Sequence, residues 1–311
     1  MKLYMKNYIV ILVLILSGSA VFAQQLPHFS QYYLNDFLIN PAIAGVNNYF
    51  EGKSSHRYQW EGITDAPRTY TLSVNGPMKN ENMGLGGYLF TDMVGPTRRT
   101  GFNLAYSYHA RLNETLKLSF GLSAGVMQFM IDGSKVTLRD QGDVILTNGV
   151  QKVLVPDAGF GTYLYHEKYY VGFSAPQLLN SRVKFFNEGD NPNGTLPAHF
   201  FFTGGYKFDI SDDFMVEPSF FVKYVTPAPV MFDGSLRVFY KKKVWLAGTY
   251  RHRDAVAVSM GYLIYDYFTV AYAYDFTTTN LKNYNNGSHE LMIGIRFHKN
   301  EPKTTSAPSI N

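Results

Sequence analysis

The stretch Phe102-Asn-Leu-Ala-Tyr-Ser-Tyr-His109 alternates between large apolar side chains and small or polar ones. Successive side chains of a β-strand point to opposite faces, so the phenylalanine, the leucine and the two tyrosines share one face. The asparagine, alanine, serine and histidine share the other face. This alternation predicts a strand with one apolar face and one polar face.

The same two-residue period recurs along most of the 311-residue chain, for example in 116–123, 268–275 and 291–297. Its recurrence predicts about fourteen strands. We place them at 49–60, 67–75, 83–91, 99–110, 115–128, 153–165, 168–174, 197–208, 213–223, 231–240, 243–252, 254–263, 267–275 and 288–297.

Two architectures suit strands of this kind. A soluble sandwich buries the apolar face, whereas a membrane barrel turns it to lipid and keeps the polar face inside. Outer-membrane barrels have an even number of strands and alternate short turns with long loops, as this chain does apart from a short connection at 252–254 and a fairly long one at 76–82. The sequence therefore favours an all-β fold, a single transmembrane antiparallel β-barrel of about 14 strands. Short turns are expected at 111–114, 166–168, 210–213, 241–243 and 264–266, and longer loops at 91–98, 129–152, 175–196, 224–230 and 276–287.

The composition agrees with a barrel and excludes several kinds of chemistry. Charged residues make up 17% of the chain, below the roughly 25% of soluble domains, while aromatic residues reach 16%. The absence of cysteine excludes disulfides, cysteine–zinc sites and cysteine nucleophiles. Many tyrosines lie near predicted strand ends, where membrane barrels carry aromatic girdles. A formal net charge of +4, with no cluster of lysines and arginines interleaved with aromatic residues, gives no indication of a nucleic-acid partner.

Residues 1–23 have the pattern of a secretory signal peptide. Lys2 and Lys6 precede a short apolar run from Ile9 to Leu16, and Ala23 offers a cleavage site before Gln24. The alternative, a transmembrane anchor, is disfavoured because the apolar run is too short. We therefore expect an exported protein.

The two ends of the exported chain lack the strand period. Residues 24–48 form a non-strand N-terminal segment, broken by Pro27 and Pro41, with a short helical piece at 31–38; its expected place is the periplasmic mouth or the lumen. The barrel is expected over 49–297, followed by a flexible periplasmic tail at 298–311. Glycine pairs inside strands, at 86–87 and 204–205, are attributed to barrel curvature in preference to close approach of something in the lumen.

Chemical motifs are scarce. Ser288, His289 and Glu290 are adjacent in a predicted strand, so they point to alternate faces and cannot form a catalytic triad with one another. We therefore expect no enzyme, no cofactor and no metal site. Four carboxylates on or beside the outer loops could bind calcium, but the spacing of a calcium loop is absent, which favours solvated carboxylates without a metal ion. For the charged turn 251–254, loop solubility is as good an explanation as a functional role. The loop candidates for calcium are Asp92, Asp132, Asp140 and Asp143.

A series of short motifs in fixed order resembles the PorP/SprF family of type IX secretion membrane proteins over almost the whole chain to Phe297. No single motif is specific, but their order and spacing make the resemblance strong. The motifs are Pro27-His-Phe-Ser-Gln-Tyr32, Asn40-Pro-Ala-Ile-Ala-Gly45, Tyr58-Gln-Trp60, Ala66-Pro-Arg-Thr69, Gly84-x-Gly-Gly87, Asp92-x-x-Gly-Pro96, Leu118-Ser-Phe-Gly-Leu-Ser-Ala-Gly125, Pro156-Asp157, Pro218-Ser219, Lys223-Tyr224, Tyr250-Arg251 and Gly287-Ser-His-Glu290.

The resemblance implies a non-enzymatic outer-membrane component of the type IX secretion and gliding machinery. Family members either receive the C-terminal signal of a secreted surface adhesin, as SprF does, or connect the outer membrane to the periplasmic motor ring with a peptidoglycan-binding partner, as PorP does. The first role is slightly favoured, and a channel or hydrophobic-ligand transporter remains an alternative of another class. The long outer loops are where an extracellular partner would bind.

Four residues of the N-terminal segment are candidate partner contacts, because a barrel does not need this segment for closure. An equally weighted alternative is that the segment only fills the lumen and adds stability. The candidates are Phe29, Tyr32, Asn40 and Pro41.

Overall fold

The computed structural model describes residues 26–79, 82–135, 149–183 and 194–298. Within these ranges the chain forms one antiparallel sheet of fifteen strands. The two-residue β9 pairs with β10 as β8 does, so it continues β8 and the sheet has fourteen positions. The strands are β1 (Phe50–Tyr58), β2 (Arg68–Pro77), β3 (Met83–Val94), β4 (Thr97–Arg111), β5 (Lys117–Asp132), β6 (Val150–Tyr165), β7 (Tyr169–Ala175), β8 (Phe200–Tyr206), β9 (Phe208–Asp209), β10 (Phe214–Tyr224), β11 (Met231–Tyr240), β12 (Val244–Arg251), β13 (Ala255–Ile264), β14 (Phe268–Thr277) and β15 (Ser288–Phe297).

The sheet closes on itself. β1 pairs with β15 along its whole length, from Phe50 opposite Phe297 to Tyr58 opposite His289. All other neighbours follow chain order, apart from the continuation of β8 by β9. Closure leaves no open sheet edge, which is the condition for strands to cross a membrane. The fold expected from the sequence, a fourteen-stranded antiparallel barrel, is confirmed.

The alternation in β4 separates the two faces of the wall. The side chain of Leu104 is 57% exposed, whereas Asn103 and His109 are each only 1% exposed. Large apolar side chains are exposed on most other strands as well, so the outer face is apolar and the polar face lies inside. This arrangement inverts that of a soluble domain and matches a barrel surrounded by lipid.

The connections differ between the two ends of the barrel. The short-turn end carries the tight connections at 166–168, 210–213, 241–243 and 265–267, and the long-loop end carries 133–149, 176–199 and 278–287. The long loop expected at 91–98 is wrong, because β3 and β4 extend further than predicted and are joined by the two-residue turn Gly95–Pro96. Gly95 has a positive φ of 55°. A residue without Cβ tolerates that conformation.

Helical structure in the described ranges consists of four short 3₁₀ helices: Asp36–Leu38, Pro41–Ile43, Gly133–Lys135 and Asn280–Asn283. No helix among these residues has the length and apolar character needed to cross a membrane. The signal peptide expected at 1–23 and most of the tail expected at 298–311 lie outside the described residues, so both stay predictions.

Candidate functional site

Residues 26–49, called the luminal segment from here on, run through the interior of the barrel. The carbonyl of Leu26 accepts a hydrogen bond of 2.7 Å from Nζ of Lys223, near the long-loop end of β10. Asp36 lies at the opposite side, where it borders a cavity at the short-turn end. From there the segment passes along β4 to β7 and continues into β1. Of the helical piece expected at 31–38, only Asp36–Leu38 forms a helix, of the 3₁₀ type.

Five inward-facing residues form a buried charge cluster beside this segment. Arg57 binds Asp275 at 2.7 Å and Glu290 at 3.1 Å. Arg251 binds Asp233 at 3.2 Å and Asp275 at 3.2 Å. All five side chains are at most 2% exposed, so these ion pairs are shielded from solvent. The residues come from β1, β11, β12, β14 and β15, and barrel closure brings them together.

The luminal segment adds hydrogen bonds to the buried charge cluster, in which Nε of Arg57 and Oδ1 of Asp233 have no partner among the described residues. Oγ of Ser30 donates to Asp275 at 2.6 Å and accepts from Nη1 of Arg57 at 2.7 Å. The backbone N–H of Ser30 donates to Glu290 at 2.8 Å. Buried charges are tolerated when their remaining hydrogen-bonding positions are filled. The segment therefore stabilises the cluster, and the cluster in turn holds the segment.

His28 adds a neutral contact to the same cluster. Burial and the nearby charge of Arg251 lower the pKa of His28 to about 4. The ring is therefore uncharged at neutral pH, and its Nε2–H donates to Asp233 at 2.7 Å. Arg251 also pairs at 3.2 Å with Asp254, a partly exposed residue at the edge of the cluster.

Hydroxyl groups of the barrel wall hold the second half of the luminal segment through its backbone carbonyls. This mode of contact depends on backbone position and not on the identity of the segment's side chains. The bonds run from Ser174 to Ile39 O (2.6 Å), from Ser119 to Ala42 O (2.7 Å) and from Ser107 to Ala44 O (2.6 Å).

Asn40 fixes the same half of the segment through its side chain. Its Oδ1 accepts from the N–H of Ala42 and caps the 3₁₀ helix that begins at Pro41. Its Nδ2 donates to the carbonyls of Thr162 on β6 and Phe173 on β7, at 3.0 and 3.2 Å. One side chain thus connects the helix to two strands.

Glycines in the barrel wall make room for the luminal segment. A Cβ placed on Gly121 would collide with the backbone of Pro41 and Ala42, and one on Gly86 would lie 2.5 Å from Cζ of Phe37. The interpretation of Gly86 as a residue of barrel curvature is therefore wrong, since the ring of Phe37 occupies its place. Gly204 and Gly205 lie instead against wall side chains, Phe220 and Tyr170.

Two cavities flank the luminal segment. The one toward the long-loop end has an empty volume of about 720 Å³, including space open to solvent, and mostly apolar walls. The one at the short-turn end has about 1830 Å³ on the same measure and is lined by charged groups such as Asp36, Glu51 and Lys53. Burial raises the pKa of Asp36 to about 6, with Lys53 acting in the opposite direction.

The family is decided by comparison with known proteins. The family model described as type IX secretion system membrane protein PorP/SprF matches residues 21–295. The chain belongs to the PorP/SprF family. The resemblance found in the sequence is thereby confirmed. The family supports the assignment of the chain as an outer-membrane component of the type IX secretion system. No curated protein matches the chain.

Solved structures share the barrel fold of this PorP/SprF protein at low sequence identity. The CymD monoaromatic hydrocarbon channel is 15% identical, with 88% of this chain and 94% of that one covered and a TM-score of 0.53. The Ralstonia pickettii toluene transporter TbuX is 10% identical, with 84% and 93% covered and a TM-score of 0.53. The P. putida toluene transporter TodX is 10% identical, with 84% of this chain and 93% of that one covered and a TM-score of 0.51. These likenesses concern the fold, which is that of an outer-membrane barrel.

The four candidate partner contacts of this PorP/SprF chain all lie in the lumen. Tyr32 is buried, stacks on Phe221 at 5.3 Å between ring centroids and bonds to Ser219. Phe29 is half-buried and lines the apolar cavity. Asn40 is buried and Pro41 half-buried beside β5 and β6. Whether any of them contacts a partner stays a prediction.

The sequence analysis missed the charge cluster. Arg251 was read as part of a soluble turn, yet its side chain is 2% exposed and lies inside the barrel, so that interpretation is wrong. The sequence signal that could have revealed the cluster is the presence of charged residues at inward-facing strand positions in a chain with few charges. Glu290 does point inward while its neighbour His289 bonds to Tyr272 and Glu61 on the outside, as strand alternation predicts.

The loop carboxylates considered for calcium have other contacts or lie outside the described residues. Asp92 pairs with Arg99 and accepts from Thr69, and Asp132 accepts from Ser134. Asp140 and Asp143 fall in a range that is not described. Within the described ranges, no group of three or more histidine or acidic side chains is arranged to hold a metal ion.

Proposed function

We propose that this PorP/SprF barrel is a non-enzymatic, partner-binding component of the type IX secretion and gliding machinery, which binds the C-terminal signal of a secreted surface adhesin and anchors it at the cell surface. The observation that carries the proposal is the occupied lumen. A barrel whose interior is filled by its own chain and fixed by buried ion pairs is suited to act as a scaffold, and not as an open pore. The alternative within the family is a link between the outer membrane and the periplasmic motor ring, with a peptidoglycan-binding partner.

Co-purification tests the partner. The full-length protein, purified from its own membranes in mild detergent, is expected to bring down one secreted adhesin whose C-terminal domain alone binds the purified barrel. Recovery of motor-ring proteins and a peptidoglycan-binding protein would instead support the alternative role. Recovery of neither, together with normal adhesin display and motility in a deletion strain, would exclude both.

The proposed orientation places the long loops outside the cell, and the short turns and the carboxyl terminus in the periplasm, as in other outer-membrane barrels. We also expect the amino terminus in the periplasm. That expectation concerns residues before Leu26, which are not described; Leu26 itself lies in the half of the lumen near the long loops. Orientation can be tested independently of any partner.

The absence of native cysteine makes single-cysteine labelling a clean test of orientation. Lys282→Cys lies at the long-loop end and Asp212→Cys at the short-turn end, and both positions are exposed. A membrane-impermeant maleimide is expected to label the first variant in intact cells and the second only after the outer membrane is opened. The reverse pattern would overturn the orientation.

A channel or hydrophobic-ligand transporter is the alternative of another class. The solved barrels of similar fold are described as hydrocarbon channels and toluene transporters, but their identity to this chain is at most 15%. The luminal segment lies between the two cavities, which argues against a continuous path. Ion conductance by the wild-type protein in planar bilayers would favour this alternative over the scaffold.

A further inference from the structure

The outer face of the barrel carries a row of cations at the long-loop end of β2 to β6. Strand pairing places Arg68 of β2 opposite Met93 of β3, and Met93 opposite Arg98 of β4. The row continues across β5 to Lys152 of β6, because Met130 pairs with both Arg98 and Lys152. The three cationic side chains are exposed and point outward. They are called the basic row from here on.

The protein does not neutralise the charges of the basic row. Among the residues that the structure describes, no acidic side chain forms an ion pair with any of the three cations. Arg68 lies over the ring of Tyr58, 4.8 Å from its centroid, and this contact leaves its charge unpaired. Asp65 in the β1–β2 turn and Asp132 at the end of β5 belong to the same region, and neither pairs with the row. An anion from outside the protein can therefore bind here.

The other side of the barrel has a different surface at the same end. On β10 to β14, the outward-facing residue nearest the long-loop end of each strand is aromatic or aliphatic. These residues are Tyr224, Phe232, Tyr250, Val256 and Phe276. The cations are thus confined to one side, so a general need for charge at the membrane surface does not explain them.

Toward the middle of the strands, the outer face below the basic row changes from polar to apolar. The next outward-facing row carries hydroxyl and amide groups, and the row after it is apolar and exposed. The polar row consists of Tyr70, Thr91, Thr100 and Gln128. The apolar row consists of Leu72, Leu89, Phe102 and Val126. This order matches a lipid that lies along the wall, with an anionic head group at the basic row and acyl chains below it.

The spacing of the cations indicates the kind of head group. Neighbouring strands lie roughly 4.8 Å apart, so the Cα atoms of Arg68 and Arg98, two strands apart, are separated by roughly 10 Å. The same spacing separates Arg98 from Lys152. Two neighbouring members of the row can reach one phosphate with their long side chains, but all three cannot. A head group with a single phosphate would use part of the row, whereas a sugar with two phosphates would use all of it.

We propose that the basic row binds a phosphorylated glycolipid of the lipid A class. Arg68 and Arg98 bind one phosphate through charge-assisted hydrogen bonds, and Lys152 binds the second. The polar row faces the sugar and its acyl linkages, and the apolar row packs against the acyl chains. Under the proposed orientation this lipid lies in the outer leaflet. Its binding needs neither an adhesin nor a motor-ring protein, so this inference and the proposed function can fail independently.

Native mass spectrometry of the full-length protein in mild detergent tests the proposal by counting the lipids that stay bound. Diphosphoryl lipid A, monophosphoryl lipid A and phosphatidylglycerol are added separately at equal concentration. Diphosphoryl lipid A is expected to bind at least about tenfold more tightly than phosphatidylglycerol, with monophosphoryl lipid A between them. Equal binding of the three lipids, or binding of none, would overturn the proposal.

Two triple variants separate the basic row from net charge. Arg68→Gln/Arg98→Gln/Lys152→Gln is expected to weaken binding of diphosphoryl lipid A at least about tenfold. Lys241→Gln/Lys242→Gln/Lys243→Gln removes the same charge from an exposed turn at the short-turn end and should bind as the wild type does. Unchanged binding in the first variant, or an equal loss in both, would refute the site.

A single variant keeps the test decisive if the triple variant of the basic row does not fold. Arg98→Glu places a negative charge at the centre of the row and is expected to weaken binding of diphosphoryl lipid A severalfold through direct repulsion. Unchanged affinity in folded Arg98→Glu would refute the site equally.

Discussion

Arg57→Ala is expected to lower the free energy of unfolding of the barrel by about 3–5 kcal/mol and to release the luminal segment from the lumen. Arg57 neutralises Asp275 and Glu290, and all three side chains are almost completely buried. Removal of Arg57 leaves Glu290 buried without an ion-pair partner and leaves Asp275 with Arg251 alone, which costs far more than a surface ion pair contributes. The hydroxyl of Ser30 would also lose the shorter of its two arginine donors, since Nη2 of Arg251 at 3.2 Å would remain.

Two measurements report the two expected effects of Arg57→Ala. Urea unfolding followed by tryptophan fluorescence gives the loss of stability. Planar-bilayer recording is expected to show ion conductance for the variant and none for the wild type, because the first half of the luminal segment depends on this cluster.

A surface pair offers the matched control for Arg57→Ala. Lys168 and Asp209 lie 3.7 Å apart with both side chains more than half exposed, so Lys168→Ala is expected to change neither stability nor conductance. The double variant Arg57→Ala/Glu290→Gln should recover part of the loss, since it removes one of the stranded charges. A stable, closed Arg57→Ala barrel would mean that the cluster does not hold the segment.

Local sequence pattern predicts the wall of this barrel well, and the reason is physical. The side-chain period of a strand is two, and lipid outside and polar groups inside impose opposite chemistry on the two faces. Strand alternation alone thus separates Leu104 from Asn103 and His289 from Glu290. Strand ends are less determined, because pairing can continue past the apolar band, as it does up to the turn at Gly95.

The contents of the lumen could not be predicted in the same way. Arg57 and Glu290 are 233 positions apart, and only closure of β1 on β15 makes them neighbours. The luminal segment has no period, so its sequence gave no register against the wall. The role of Gly86 was ambiguous for the same reason. A glycine shows that space for a side chain is lacking, but the strand pattern does not show whether the barrel wall or the luminal segment occupies that space.

Gly121→Val is the second change for which a large effect is expected. Gly121 lies on β5 with its Cα against the 3₁₀ helix Pro41–Ile43, and any Cβ there would overlap backbone atoms of Pro41 and Ala42. The helix has little room to retreat, because Asn40 holds it to β6 and β7 and Ser119 holds the carbonyl of Ala42. Overpacking of a well-filled interior usually costs about 1–3 kcal/mol.

The expected outcome of Gly121→Val is a barrel that still forms but has lost the docked position of the helix. The strand pairing of β5 with β4 and β6 does not depend on the luminal segment, so the wall should survive. Conductance in planar bilayers and faster uptake of a large antibiotic by cells would report the opened lumen.

Gly248→Val is the control, since Gly248 faces outward with no atom within 4 Å of its Cβ position and should tolerate the same side chain. If both variants stay closed and equally stable, the requirement for glycine at 121 comes from the barrel wall and not from the luminal segment. If only the Gly121→Val barrel conducts ions while adhesin binding persists, the partner site lies on the loops and not on the luminal segment.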